Sequence, residues 1–147
     1  MRAPLLVISS DAEVRAWAKD QDLAIRDDPG TLNQAAALAR AAAFQMGWNR
    51  VVIVHADLAQ PVGIDDFVER PAPQEVWAVR SHRDSGTPVL SLPTLGNFEF
   101  EYGIGSFDRH QYSAMRAGWT WVSADYPALA LDVDLDVDLE LIDGFRH

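Results

Sequence analysis

Two continuous apolar runs constrain the fold of this chain more than any other feature. They extend from Pro4 to Ser9 and from Arg50 to His55, and each precedes a stretch with helix-starting signals. Uninterrupted apolar runs of this length predict strands that are buried on both faces, as in a parallel sheet. Because strands alternate with predicted helices along the chain, the sequence indicates an α/β fold of three layers with a mainly parallel sheet.

The segment after the first run contains a helix, a short strand and a turn. Ser10 and Glu13 fit a capping box that opens a helix through about Lys19. Leu23 to Arg26 predicts a second, weaker strand. The sequence D-D-P-G from Asp27 to Gly30 predicts the turn that ends this strand.

The alanine-rich stretch that follows is the clearest helix in the sequence. Thr31 and Gln34 form a second capping box, the stretch runs to Met46, and Gly47 is the predicted C-cap. Its many alanines indicate close packing against a sheet, although their high helix propensity alone would also explain them.

The remaining elements are predicted from shorter patterns. They are a helix from Ile64 to Glu69, strands from Glu75 to Arg80 and from Val89 to Leu92, a helix capped by Ser106 that extends to Ala117 and closes at Gly118, and a strand from Thr120 to Ser123. The chain has 147 residues and no repeats or low-complexity linkers, so we expect one domain that spans residues 1–147.

An acidic stretch from Leu129 to Leu141 contains the strongest candidates for a metal site. If its beginning is an extended strand, alternation places Asp132 and Asp134 on one face, roughly 6 to 7 Å apart. Two carboxylates held close together repel each other, and no Lys or Arg follows Arg116 until Arg146. A hard divalent cation such as Mg²⁺, which prefers oxygen ligands, would suit this pair.

An alternative interpretation of the same stretch needs no metal. Alternating Asp and aliphatic residues also mark a half-exposed strand, followed by a helix whose acidic first turn complements the helix dipole. We adopt this interpretation for Asp136, Asp138 and Glu140. Both interpretations stay open for Asp132 and Asp134.

Asp57 is a further candidate because of its position after the second apolar run. In open α/β sheets, ligands bind beyond the carboxyl ends of the strands, and the run delivers His55, Ala56 and Asp57 to such an end. We therefore expect Asp57 to converge with Asp132 and Asp134. Asp57 could instead cap the turn into the next helix.

Two polar loops are candidates for binding an anion. Gly86 and Thr87, in the loop from Ser81 to Pro88, are small enough for a backbone to approach a phosphate. Gly103 and Ser106 belong to a glycine-bearing turn that leads into a helix, where free amides and the helix dipole favour an anion. A plain loop-to-helix junction would also explain the second pattern. We expect the two loops to face one another across an anion pocket.

Composition excludes several classes of function. The chain has no cysteine, which removes disulfides, thiolate metal sites and thiol catalysis. Its formal net charge of −10 argues against binding to a nucleic-acid backbone, although a phosphorylated small molecule stays compatible if metal ions and amides carry the charge. Neither a signal peptide nor a membrane span is indicated, so we expect a cytoplasmic protein.

Several short motifs occur in an order that resembles a known enzyme family. They are V-I-S-S-D at Val7 to Asp11, L-N-Q-A at Leu32 to Ala35, H-A-D-L at His55 to Leu58, R-D-S-G-T at Arg83 to Thr87, G-I-G-S-F-D-R-H at Gly103 to His110, and L-D-V-D at Leu131 to Asp134. Over nearly the whole chain, the sequence resembles the 2-phospho-L-lactate (phosphoenolpyruvate) guanylyltransferase family of deazaflavin-coenzyme biosynthesis. The resemblance implies a Rossmann-like fold of the nucleotide-diphospho-sugar-transferase type. It also implies a reaction that joins GTP to a phosphorylated three-carbon acid and releases pyrophosphate.

The resemblance implies three groups of site residues. They are Asp57, Asp132 and Asp134 for two Mg²⁺ ions, Thr87, Gly103 and Ser106 for the phosphate of the acid substrate, and Ser9, Ser10 and Asn33 beside the nucleotide. The three aspartates would also be the catalytic residues, because the ions they bind would lower the repulsion between the reacting phosphates.

The chain departs from the family pattern in two respects. Family members have a strand, a loop with Lys and Arg that wraps the GTP phosphates, and a long helix ahead of the segment that corresponds to Leu5 to Asp11. We therefore expect an N-terminally truncated fold with weakened catalysis, and a homodimer or a partner chain that covers the open edge of the sheet. Pro88 also replaces the Asn of the family's usual Gly-Thr-Asn and removes a backbone donor.

Two functions follow as hypotheses. The first is an Mg²⁺-dependent nucleotidyltransferase, whole or completed by a second chain. The second is a degenerate, non-catalytic relative that binds an anion or a partner protein. The presence of Asp57, Asp132 and Asp134 favours the first hypothesis, and the absent basic loop favours the second.

Overall fold

Six strands form two sheets in the computed structural model, which describes residues 5–55, 63–82 and 84–130. The strands are β1 (Leu6–Ile8), β2 (Ala24–Arg26), β3 (Arg50–Val54), β4 (Glu75–Val79), β5 (Val89–Pro93) and β6 (Thr120–Ser123). The helices of the same ranges are α1 (Ala12–Asp20), α2 (Leu32–Gln45), α3 (Ile64–Glu69) and α4 (Ser106–Arg116), followed by a 3₁₀ helix at Pro127–Ala130. The elements predicted ahead of the acidic stretch are present, with small shifts at their ends.

Strand direction in the larger sheet is mostly parallel. The strand order is β3-β5-β4-β6, in which β3, β4 and β6 run the same way and β5 runs against them. The reversal arises because only residues 80–88 join β4 to β5, whereas a parallel crossover needs a dozen or more residues. The predicted α/β class with mainly parallel strands is confirmed, with β5 as the exception. The carboxyl ends of β3, β4 and β6 and the amino end of β5 consequently share one edge of the sheet.

The two amino-terminal strands form a sheet of their own. β1 pairs with β2 in parallel, and within the described ranges neither strand pairs with the four-stranded sheet. Helix α1 covers this pair, and Val7, Val14 and Ala18 are buried together between them. The sequence predicted a single sheet, so this division is a correction.

Helices cover both faces of the four-stranded sheet. One face packs against α2 and α4, and Val76 of β4 is buried there. The opposite face packs against α3 and the 3₁₀ helix, where Trp77 of β4 is buried with Phe67 and Leu129. Successive residues of a strand point to opposite faces, so both faces of β4 are apolar. The predicted three-layer arrangement is therefore observed for this sheet.

Helix α2 begins as its sequence predicts. The Thr31 hydroxyl accepts a hydrogen bond from the Gln34 amide at 3.1 Å, and the Gln34 side chain accepts one from the Thr31 amide at 3.2 Å. Ala36 is buried and Ala39 packs against the same core, because small side chains let the helix lie close to the sheet. The predicted capping box and close packing are both confirmed.

Two predicted N-caps are displaced by one residue. Asp11, rather than Ser10, caps α1, because its carboxylate accepts hydrogen bonds from two amides of the first turn. Gly105, rather than Ser106, lies at the N-cap of α4 with a left-handed φ of 76°, which glycine adopts without strain. Ser106 is therefore the first residue of the helix, and it is fully buried.

The predicted strand that starts at Leu129 begins differently in the structure. Leu129 and Ala130 end a 3₁₀ helix that starts at Pro127, whose ring fixes φ near the helical value. Leu129 is fully buried, so burial of a helical turn explains the apolar pattern here. The rest of the predicted strand, with Asp132 and Asp134, lies outside the described residues.

The helices of the described ranges do not include a membrane span, since none of them is both long and apolar enough. Helix α2, the longest among them, has 14 residues, whereas a span needs about 20.

Replacing Gly96 by alanine should destabilise the protein more than replacing Gly47. Both glycines have a left-handed φ, so each substitution costs about 1 kcal/mol in backbone strain. A Cβ at Gly96 would also lie 2.6 Å from a ring carbon of Trp119, whereas one at Gly47 would meet no described atom within 4 Å. In urea denaturation, we expect Gly96→Ala to lose about 1 to 3 kcal/mol more than Gly47→Ala. Equal losses would show that the Trp119 ring moves aside without cost.

Candidate functional site

Two segments meet at the sheet edge where β3, β4 and β6 end and β5 begins. The first is the 81–88 loop, and the second is the glycine turn, residues 101–105, which precedes α4. The amide of Gly105 donates to the carbonyl of Asp84 at 2.9 Å, and the amide of Phe107 donates to the carbonyl of Ser85 at 3.0 Å. The two segments therefore face one another in direct contact, and the anion pocket expected between them stays a prediction.

A pair of buried hydroxyl groups lies at this junction. The Thr87 and Ser106 hydroxyl oxygens are 2.8 Å apart, and each residue is almost completely excluded from solvent. Thr87 comes from the 81–88 loop and Ser106 from the first turn of α4. Two of the residues that the family resemblance implies for an acid's phosphate are thus in direct contact, and Gly103 lies in the turn beside them.

His110 is bound through both of its ring nitrogens. Its Nδ1 lies 2.9 Å from the Thr87 hydroxyl, and its Nε2 accepts a hydrogen bond of 2.8 Å from the Glu101 amide. Since a backbone amide can only donate, Nε2 carries no proton, and in the neutral ring Nδ1 must carry it. Burial, with smaller effects of Arg109 and His55, lowers the pKa of His110 to about 4, so the ring is neutral at pH 7.

His110 is missing from the site residues predicted from the sequence. Its spacing of four from Ser106 is the signal that was available, because that spacing places both residues on one face of a helix. The spacing does not reveal the contact with Thr87. That residue precedes His110 by 23 positions, and its hydroxyl forms the hydrogen bond to Nδ1 that connects the histidine to the junction.

Aromatic rings surround the buried histidine. The ring centroid of Tyr102 lies 4.8 Å from that of His110 and 4.9 Å from that of His55, and Phe98 stacks on His110 at 5.7 Å. The Tyr102 hydroxyl is buried and has no hydrogen-bond partner among the described residues. Burial raises the pKa of Tyr102 above its ordinary value. These rings exclude water from the imidazole.

Three amides at the start of α4 are not left free for an anion. Those of Gly105 and Phe107 bind the 81–88 loop, and the amide of Ser106 donates to the Gly103 carbonyl at 3.1 Å. The Arg109 guanidinium donates to the carbonyls of Ile104 and Glu101, both at 3.0 Å, and so holds the glycine turn. The amides of Gly105, Ser106 and Phe107 are thus used within the protein.

The residues predicted beside a nucleotide occupy two places. The Asn33 side-chain oxygen accepts a hydrogen bond of 2.7 Å from the Tyr102 amide, which ties the start of α2 to the glycine turn. Ser9 and Ser10 follow β1, and their hydroxyls accept hydrogen bonds of 3.1 Å from the amides of Asp11 and Asp28. Asn33 therefore joins the Thr87–Ser106 junction through one contact. Ser9 binds within its own loop, and Ser10 connects that loop to the turn after β2.

The three predicted metal ligands are Asp57, Asp132 and Asp134. All three lie outside the described residues. Within the described ranges, no group of three or more His, Asp or Glu side chains is placed to hold a metal ion. The described residues nearest to these aspartates in sequence are His55 and Ala130. The amide of His55 donates to the Pro88 carbonyl at 3.1 Å, and the carbonyl of Ala130 accepts from the His82 amide at 3.1 Å.

A polar cavity lies beside the 81–88 loop, at the carboxyl ends of β4 and β6. Its volume is about 360 Å³, within the range of small-molecule sites, and its polar lining includes Arg80, Ser81, His82 and Asp125. Arg80 also binds Asp108 of α4 at 3.0 Å. The 81–88 loop therefore contributes residues both to the cavity and to the buried hydroxyl pair.

The chain is similar to several proteins named phosphoenolpyruvate guanylyltransferase. It is 31% identical over 144 residues to the protein of Conexibacter woesei, covering 94% of this chain and 65% of that protein. It is 30% identical over 143 residues to the protein of Sphaerobacter thermophilus, covering 95% and 69%. It is 31% identical over 145 residues to the protein of Rubrobacter xylanophilus, covering 95% and 70%. No family model matches the chain.

Acidification should destabilise the protein through His110. Its pKa is about 4 when folded and near 6.5 when unfolded, so between these values the unfolded state binds the proton first. The loss of stability starts as the pH falls through about 6.5 and reaches about 3 kcal/mol near pH 4. Urea denaturation at pH 7 and pH 4 should therefore show a smaller loss in His110→Asn than in the wild type. Equal losses would contradict a buried neutral imidazole.

Proposed function

Since this chain belongs to the phosphoenolpyruvate guanylyltransferase family, we propose that it takes part in the transfer of a guanylyl group from GTP to phosphoenolpyruvate or to 2-phospholactate. An oxygen of the acid's phosphate would attack the α-phosphorus of GTP. The bond from that phosphorus to the oxygen bridging to the β-phosphate would break, and pyrophosphate would leave. No general base is required, because the attacking phosphate is largely ionised near neutral pH.

Charge is the main physical obstacle to this reaction. It brings two anionic reactants together on a chain whose own formal net charge is −10. Hydrogen-bond donors that are already oriented, together with cations, would have to offset the developing charge. The residues expected to stabilise the developing charge most are therefore those that present such donors or bind such cations.

The observation that carries the proposal is the contact of the Thr87 and Ser106 hydroxyls, 2.8 Å apart at the start of α4. We propose that these two residues and Gly103 hold the phosphate of the acid. Hydroxyl groups can donate to phosphate oxygens without adding charge. The support is that residues distant in sequence, but assigned to the same phosphate, lie together.

We propose that Asp57, Asp132 and Asp134 bind Mg²⁺, which would offset phosphate charge when bound. Carboxylate oxygens are the ligands that this ion prefers. What supports their convergence is the position of their described neighbours, since His55 and Ala130 both form hydrogen bonds to the 81–88 loop.

The nucleotide is proposed to lie on the side of Ser9, Ser10 and Asn33. The support is the hydrogen bond from the Tyr102 amide to Asn33, since Tyr102 directly precedes Gly103. A nucleotide beside Asn33 would thus be close to the glycine turn. The deazaflavin-coenzyme pathway, a cytoplasmic location and a homodimer or partner chain stay predictions, and a mass measurement in solution would decide the last.

A second candidate function is a non-catalytic relative that binds an anion or a partner protein. The observation that favours it is the closure of the junction: three amides at the start of α4 bind carbonyl oxygens, and the Thr87 and Ser106 hydroxyls are buried. Such a site could hold an anion only after local rearrangement. Binding and turnover must therefore be measured separately.

Ser106→Ala should weaken the binding of phosphoenolpyruvate by about 10-fold or more, because a hydrogen bond to a charged group is lost. Ser113→Ala is the matched control, since Ser113 is on the same helix and binds the Glu99 carbonyl. Calorimetry would give the affinities, and pyrophosphate release from GTP would give the turnover. Equal affinities in both variants would contradict the phosphate assignment. Binding without pyrophosphate release would favour the second candidate.

Asp132→Asn should abolish the Mg²⁺ dependence of GTP binding, whereas Asp136→Asn should leave it unchanged. The first removes a proposed ligand charge, and the second alters an aspartate that we interpret as part of an exposed acidic face. GTP affinity would be measured with Mg²⁺ and with EDTA for each variant. If Mg²⁺ strengthens GTP binding equally in both, the proposed metal site is wrong.

A further inference from the structure

We propose that His110 is a positioning residue: acting through Thr87, it turns the hydroxyl proton of Ser106 toward an oxygen of the phosphate that the site binds. The inference rests on the proposed function, in which Thr87 and Ser106 hold that phosphate. It concerns the direction of each hydrogen bond, which neither hydroxyl group can determine by itself.

The Glu101 amide sets the direction of these hydrogen bonds. That amide can only donate, and it points at Nε2 of His110 from 2.8 Å. The proton of the neutral ring is therefore on Nδ1, which donates to the Thr87 oxygen across 2.9 Å. Burial favours this neutral form, because a charged ring would lose its hydration. A charged ring would also direct an N–H at the N–H of Glu101.

The same direction of donation continues from Thr87 to Ser106. A protonated Nδ1 cannot accept the Thr87 proton, so among the described partners of Thr87 the acceptor is the Ser106 oxygen, 2.8 Å away. Ser106 then accepts from Thr87 and keeps its own proton for another acceptor. A phosphate ion near neutral pH offers mainly acceptor oxygens. The series of hydrogen bonds therefore ends with a hydroxyl donor, which is the group that such a ligand requires.

The opposite tautomer would reverse the result. A bare Nδ1 would accept the Thr87 proton, and Thr87 would then accept the proton of Ser106. The Ser106 oxygen would present only a lone pair to the phosphate, which repels it. His110 thus determines whether the junction attracts or repels an anion, without carrying any charge itself.

Two side chains hold the backbone next to the Glu101 amide. The Arg109 guanidinium binds the Glu101 carbonyl at 3.0 Å, and Asn33 accepts from the next amide, that of Tyr102. The Tyr102 ring packs against the imidazole, so water has little access to offer alternative hydrogen bonds. The peptide that follows this donor, between Glu101 and Tyr102, is therefore held from two sides.

Two substitutions of His110 separate positioning from structural support. The side-chain amide of asparagine lies near the position of Nδ1 and can still donate to Thr87, whereas that of glutamine reaches the position of Nε2 and leaves Thr87 without its donor. Each variant loses one hydrogen bond. We expect His110→Gln to weaken phosphoenolpyruvate binding by about 10-fold, and His110→Asn by no more than about 3-fold. GTP affinity should be unchanged in both.

Calorimetry with the full chain would measure both affinities, beside the free energy of unfolding of each variant. A purely structural role would lower the affinity for phosphoenolpyruvate equally in the two variants, and that outcome would overturn the proposal. If the wild type binds no phosphoenolpyruvate at all, the proposed function fails instead, and the two failures are thereby distinct.

The tautomer can be read without any ligand. Side-chain ¹H–¹⁵N correlation spectra of the wild-type protein distinguish a protonated from an unprotonated ring nitrogen. We expect His110 to show a protonated Nδ1 and an unprotonated Nε2. A proton on Nε2 would overturn the proposal whatever the variants bind.

Discussion

The hydrogen bonds of the Thr87 hydroxyl join the segments of this molecule that form the candidate site. One bond goes to Ser106 and one to His110, so a loop before β5 is attached to the first turns of α4. Because all three residues are buried, neither bond can be replaced by water at no cost. The glycine turn, the start of the helix and the 81–88 loop consequently hold one another in a fixed arrangement.

The same arrangement explains how an acidic chain could offer a place to an anion. His110 is kept neutral by burial, and the Arg109 guanidinium is used to bind the carbonyls of the glycine turn. What the junction presents is a set of oriented dipoles. Oriented dipoles in a dry site stabilise charge more strongly than the same groups in water, because they need not reorganise.

The reversed direction of β5 is what brings the site to one edge of the sheet. A parallel β5 would have carried its leading loop to the opposite edge. Running against its neighbours, it places Thr87 and Pro88 where β3 and β4 end, and His55 and His82 form hydrogen bonds there. Short connection length, rather than side-chain chemistry, therefore assembles the candidate site.

The sequence by itself determined the features that depend on near neighbours. The Thr31–Gln34 capping box, the alanine face of α2 and the apolar strands follow from spacing along the chain, which fixes local geometry. Tertiary structure decided the pairing of Thr87 with His110, because hydrogen bonds between distant segments depend on strand order and direction. It also moved the cap of α4 to Gly105, since Ser106 is drawn inward to bind Thr87. Local spacing carries no information about such partners, because strand order, strand direction and burial together select them.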